Sequence, residues 1–136
     1  MTPLRILNIV LGVMMLGFTA VQYNDPDMPL WVLMYGIPVL WMYAVTFRLP
    51  GIRASRDLTA LLWATVVFYA MAMVFLWPTM PNFWRKEVWI VEETAREGMG
   101  VMIAFGVMLV ALLNSRLQAA PADAGARVGS ARQRPA

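Results

Sequence analysis

An all-α membrane protein with four transmembrane helices in a compact bundle is the fold class that the 136-residue chain predicts. Three observations carry that expectation. Hydrophobic residues make up 60% of the sequence and charged residues 14%, against a charged share of about 25% in soluble domains. The apolar residues fall into four runs, over residues 4–23, 30–47, 58–77 and from 97 or 98 to 114, each near the ~20 residues that cross a ~30 Å hydrocarbon core. Within those runs apolar and polar residues do not strictly alternate, so the backbone must be satisfied inside helices rather than in a barrel. The spans form one transmembrane domain over residues 1–118. Residues 119–136 are mainly Ala, Pro, Gly and Arg, too poor in large apolar side chains to order themselves, and are expected to form a disordered cytoplasmic tail.

The first run follows Arg5 as the core of a signal peptide would. Residues 6–21 are long for that role, however, and Phe18 stands where cleavage after Ala20 would need a small residue, so retention as an uncleaved anchor is expected. Asn8 is a buried-looking polar group inside this run and should hydrogen-bond another helix, an interaction of roughly 0.6–2 kcal/mol. Pro26 and Pro29 restrict the backbone and make the first hairpin tight, with Asn24 and Asp25 available as turn or cap residues. In the second run Pro38 predicts a kink and a freed carbonyl that needs a neighbour. Gly12 and Gly17 in the first run, and Gly98, Gly100 and Gly106 in the fourth, are candidates for close helix approach. Trp31, Trp77, Trp84, Trp89, Tyr23 and Tyr35 fall at or near span ends, where interfacial aromatic anchors are expected. Trp84, Val88 and Val91 recur at i, i+4 and i+7 with Arg85, Lys86 and Glu87 between them, which predicts a short interfacial helix before the fourth span.

Basic residues fix the expected orientation. Arg5, Arg48, Arg53, Arg56, Arg116, Arg127, Arg132 and Arg134 share one side, against Arg85, Lys86 and Arg96 on the other. The positive-inside rule then places both termini in the cytoplasm of a multi-pass protein, in the plasma (inner) membrane if the source is bacterial. The outer side receives two loops, residues 24–29 and 78–96. With Glu97 at the membrane edge, this side holds Asp25, Asp27, Glu87, Glu92, Glu93 and Glu97 out of eight carboxylates in all.

Carboxylates at a bilayer edge are costly unless paired, hydrated or ligating. If the interfacial helix leads into the fourth span, Glu93, Arg96, Glu97 and Gly100 share one helix face, with Glu92 off it. The purely apolar stretch 99–113 is short for the membrane core, which draws Arg96 and Glu97 to the boundary. Gln22, Asn24, Asp25 and Asp27 of the first hairpin lie at the same level, and Tyr35 lies nearby in the second run. The candidate polar site is therefore Gln22, Asn24, Asp25, Asp27, Tyr35, Glu93, Arg96 and Glu97. Three readings of it stay open. It could be a structural lock in which Arg96 pairs with carboxylates. It could be an oxygen-ligand site for a polar headgroup or for calcium or magnesium, with Asp25, Asp27, Glu93 and Glu97 as the metal ligands. A hydrolytic site is the third. Cysteine and histidine are both absent, which removes thiol nucleophiles, Ser-His-Asp catalysis and His or Cys metal sites. The protein is accordingly expected not to be an enzyme, and to be a structural or accessory component. Its expected partners are the lipid bilayer and either a membrane protein or a second copy of the chain, with no nucleic acid.

The run Val21-Gln22-Tyr23-Asn24-Asp25-Pro26-Asp27, then Trp31-Val32 and Tyr35-Gly36, then Glu92-Glu93-x-x-Arg96-Glu97-x-x-Gly100 resembles the transmembrane protein 220 family over about residues 4–115. That resemblance implies a small four-helix membrane protein and favours treating the two polar clusters as one site. It implies no particular chemistry.

Overall fold

The computed structural model describes residues 2–117; the expected tail at 119–136 lies outside them. Six α-helices follow in order: α1 (Pro3–Val21), α2 (Met28–Phe47), α3 (Leu49–Ala54), α4 (Arg56–Leu76), α5 (Lys86–Val91) and α6 (Glu93–Leu117), and the described residues contain no strand. Short 3-10 turns, Gln22–Asn24 and Trp77–Thr79, close α1 and α4. The helices α1, α2, α4 and α6 are long and apolar enough to cross a membrane. Four spans return the chain to its starting side, so both described ends lie at one end of the bundle.

Local chemistry sets the boundaries. Thr2 caps α1 through its hydroxyl, which accepts from Arg5 N, and Pro3 takes the first helical turn, where its missing N–H costs nothing. Ser55 caps α4 by accepting from Leu58 N at 3.2 Å, and Asp57 in the first turn suits the helix dipole. The stretch 49–54, with its Pro50-Gly51, carries no helical period, yet it folds as α3. Burial of Leu49 and Ile52 and a bond from Thr59 Oγ1 to Ile52 O at 3.1 Å hold it there.

α1 packs mainly on α2, α4 mainly on α6, and α2 meets α6 across the middle. Among the spans α6 is the most enclosed, and its small residues Ala104 and Ala111 let neighbours approach closely. Met15, Met42, Leu62, Val66, Val101 and Met108 fill the space around them. The outward faces of α1 and α4 remain uncovered by protein, as lipid contact requires. Gly12 meets Met42 Cβ as a close-approach position should, whereas Gly17 and Gly106 face open space and play no such part.

Two polar contacts answer questions that the sequence raises. Met34 lies four residues before Pro38, so its carbonyl is the one that proline leaves without a donor. The hydroxyl of buried Tyr69 on α4 donates to Met34 O at 2.6 Å. The expected partner of Asn8 is Asn114, whose Nδ2 donates to Asn8 Oδ1 between α1 and α6, with both residues buried. Asn8→Leu leaves the Asn114 amide unpaired and is expected to lower stability by roughly 0.6–2 kcal/mol in detergent unfolding. Replacing both asparagines by leucine should recover most of that loss, because neither side then carries an orphaned group. A double variant as unstable as the sum of the single ones would contradict the pairing.

Candidate functional site

The site lies at the bundle end opposite the two described ends of the chain. There the hairpin between α1 and α2 is closed by Asp25, whose Oδ1 accepts from Asp27 N at 2.9 Å in an Asx turn. Asp27 begins α2 through its backbone carbonyl, which accepts from Leu30 N and Trp31 N. One turn on, α2 presents Trp31 and Tyr35 on the same face, stacked with centroids 5.8 Å apart and planes at 23°. Phe18 of α1 sets its ring edge against Tyr35 at 5.7 Å.

α6 supplies the opposite wall. Glu92 has an extended backbone and separates α5 from α6, so the helix starts afresh at Glu93, four residues ahead of the apolar run. Glu93, Arg96, Glu97 and Gly100 therefore share a face as expected. Gly100 matters because a Cβ there would collide with the Tyr35 hydroxyl. Gly98 does the same for Met80, a loop residue that folds back beneath α6 and is only 2% exposed.

These walls enclose a polar cavity of about 260 Å³ lined by Val21, Gln22, Asp25, Trp31, Tyr35, Glu93, Arg96 and Glu97. An apolar groove of about 410 Å³ adjoins it, lined by Phe18, Val21, Gln22, Tyr35, Trp89, Arg96, Met99, Gly100 and Ile103. Val21, Gln22, Tyr35 and Arg96 belong to both, so the two form one recess with a polar head and an apolar flank.

Of the sequence-derived site, Gln22, Asp25, Tyr35, Glu93, Arg96 and Glu97 come together. Asn24 and Asp27 are exposed and line neither space. Trp31 and Tyr35 are the residues that the aromatic pattern misplaces. Expected as interfacial anchors, they are only 6% and 5% exposed and form a cavity wall. Their spacing of four is the sequence signal that could have found them.

Arg96 corrects the ion-pair lock. Its Nη1 donates to the carbonyls of Trp89 and Ile90, both at 3.2 Å, and so caps the end of α5. Arg85 and Glu87 form an ion pair at 3.9 Å on the exposed surface, and among the described residues Arg96 makes none with Glu93 or Glu97. The break at Glu92 places backbone carbonyls within reach of the guanidinium, and these take the place of the expected carboxylates. The metal set of Asp25, Asp27, Glu93 and Glu97 is not assembled either. The described residues contain no group of three carboxylates placed to hold an ion, because Asp25 is turned toward the Asp27 amide and Asp27 lies outside the cavity.

Negative charge still gathers here. Glu93, Asp25 and Asp27 all act on Glu97 as like charges. The indole N–H of Trp31 is directed at the Glu97 carboxylate as a hydrogen-bond donor, but the two stand too far apart or too poorly aligned for a formed hydrogen bond. Trp31 Nε1 is buried without a partner. A buried donor in that state costs about 1–3 kcal/mol, so the cavity contains a position where an acceptor would be stabilising.

The family model described as "Transmembrane family 220, helix" matches residues 14–113, which include both walls of the recess. The chain belongs to this family. A transmembrane family 220 protein is an integral, multi-pass membrane protein, and the lipid bilayer is the surrounding medium of its four apolar helices. No curated protein and no solved structure gives a significant match to the chain.

Proposed function

We propose that this protein binds a membrane amphiphile by its polar head, in the recess between α2 and the start of α6, and carries out no chemistry of its own. The observation that carries this reading is the junction of the polar cavity with the apolar groove across Tyr35 and Arg96. Ligand pockets join apolar walls to a few convergent polar groups, and a lipid-facing groove beside a polar pocket divides a ligand into tail and head. The unpaired Trp31 N–H supports a bound acceptor over an inert seam. An accessory role fits, with the bound head presented to a partner membrane protein or a second copy. The arginine distribution supports an outward-facing site and cytoplasmic termini, which in a bacterial source means the inner membrane.

Native mass spectrometry of protein extracted in mild detergent tests the reading. Wild type is expected to retain an amphiphile as a discrete mass adduct. Ile103→Trp fills the groove at a partly exposed position and should lose the adduct without lowering the unfolding temperature in amphiphile-free detergent. A wild type without adducts, or adducts equally abundant in the variant, would overturn it.

A further inference from the structure

We infer that the head bound in this recess is a zwitterionic aminophosphate, as in an ethanolamine phospholipid, with one acyl chain along the groove. The inference rests on the binding reading above and goes further by naming the headgroup. The polar cavity offers two opposed kinds of group. Asp25, Glu93 and Glu97 are acceptors with negative charge, while Trp31 Nε1 and Arg96 are donors. A bare cation finds no set of three carboxylates placed to hold it among the described residues and would supply no acceptor to the Trp31 N–H. An anionic head such as glycerophosphate would satisfy the donors and face the carboxylates, whose mutual repulsion at Glu97 it would add to.

A primary ammonium next to a phosphodiester meets both demands. The ammonium donates to the carboxylates on the α6 wall, Glu93 and Glu97, with Asp25 adding negative charge nearby, and the phosphodiester oxygens accept from the indole N–H and the guanidinium. The charge balance points the same way. Three carboxylates face one guanidinium, and that guanidinium already spends Nη1 on the carbonyls of Trp89 and Ile90. Stacked Trp31 and Tyr35 add an aromatic wall, on which a cation rests favourably. A trimethylated ammonium keeps the charge and loses its N–H donors, so the carboxylates should discriminate against it. On the apolar side, Phe18, Met99 and Ile103 continue the recess along the bundle, where an acyl chain lies parallel to the helices.

The test is thermal unfolding of purified wild type, Glu93→Gln and Trp31→Phe against short-chain phosphatidylethanolamine, phosphatidylcholine and phosphatidylglycerol, and against chain-free glycerophosphoethanolamine. Ligands that bind the folded state raise the midpoint by mass action. The ethanolamine lipid is expected to bind wild type about tenfold more tightly than the glycerol lipid, as the loss of a charge-assisted contact requires. The choline lipid should fall between them, and the chain-free head should bind more weakly than the lipid. Glu93→Gln should narrow the ethanolamine-to-glycerol ratio, whereas Trp31→Phe, which keeps an aromatic ring, should weaken all three lipids. Equal or tighter binding of the glycerol lipid would overturn the headgroup assignment and leave amphiphile binding standing. Equal binding of head and lipid would overturn the seating of the chain. A response to none of the four would overturn both the assignment and the reading beneath it.

Discussion

Gly100→Ala is expected to destabilise the protein by about 1–3 kcal/mol, although alanine is the better helix former by up to ~1 kcal/mol. The cause is steric. The new methyl group would occupy the space of the Tyr35 hydroxyl, and that ring cannot step aside. Tyr35 is 5% exposed, stacked on Trp31 and met by the edge of Phe18. Displacing it moves a side chain common to the polar cavity and the groove, so loss of the retained amphiphile should accompany the loss of stability. Gly98→Ala is the control. Its methyl group would strike Met80 at Sδ and Cγ, and an unbranched thioether with three rotatable bonds gives way more readily than a stacked ring. Detergent unfolding should therefore rank Gly98→Ala above Gly100→Ala, with both below wild type. Equal losses at the two positions would show that Tyr35 is not wedged against α6 as described.

Tyr69→Phe is expected to cost about 1–3 kcal/mol, the price of leaving a buried acceptor without its donor. The acceptor is Met34 O, which Pro38 cannot serve and which Tyr69 reaches from α4 at 2.6 Å. Because one residue creates the vacancy and the other fills it, the two should be coupled. Pro38→Ala returns a backbone N–H to Met34 O, so the Tyr69→Phe penalty should shrink in that background. A double-mutant cycle followed by thermal unfolding measures this. A penalty of the same size with and without Pro38 would contradict the proposed exchange of donors.

Hydropathy alone carried the four spans and their order, because a chain without strict alternation and with runs near 20 residues has few other ways to satisfy its backbone in lipid. The need created by Pro38 was legible for the same reason, since a missing N–H is a property of one residue. The donor was not, because Tyr69 sits 35 positions from Met34, in a span whose face toward α2 no local pattern reveals. Asn8 likewise announced a partner without naming Asn114, which falls at the last residue of its apolar run.

At the site, spacing placed Glu93, Arg96, Glu97 and Gly100 on one face, and α6 keeps them there. What spacing could not show was that α6 begins at Glu93 and covers Trp31. An aromatic residue at a helix end is ordinarily an interfacial anchor; here the polar first turn of α6 continues the bundle past the apolar run and buries it. Arg96 was legible as a cation among carboxylates. The break at Glu92, which leaves the carbonyls of Trp89 and Ile90 exposed to it, depends on one extended residue between two helices.

The indole N–H of Trp31 gives the most direct test that this recess is a binding site. Nitrogen-15 spectra of the protein in detergent, with the Trp31 resonance assigned by Trp31→Phe, would follow that group during a titration with short-chain phosphatidylethanolamine. The expected result is a saturable downfield movement of the Trp31 indole proton as it gains an acceptor, with the exposed Trp84 following only the bulk detergent change. A Trp31 resonance that stays in place through saturating lipid, or moves only in step with Trp84, would contradict the account.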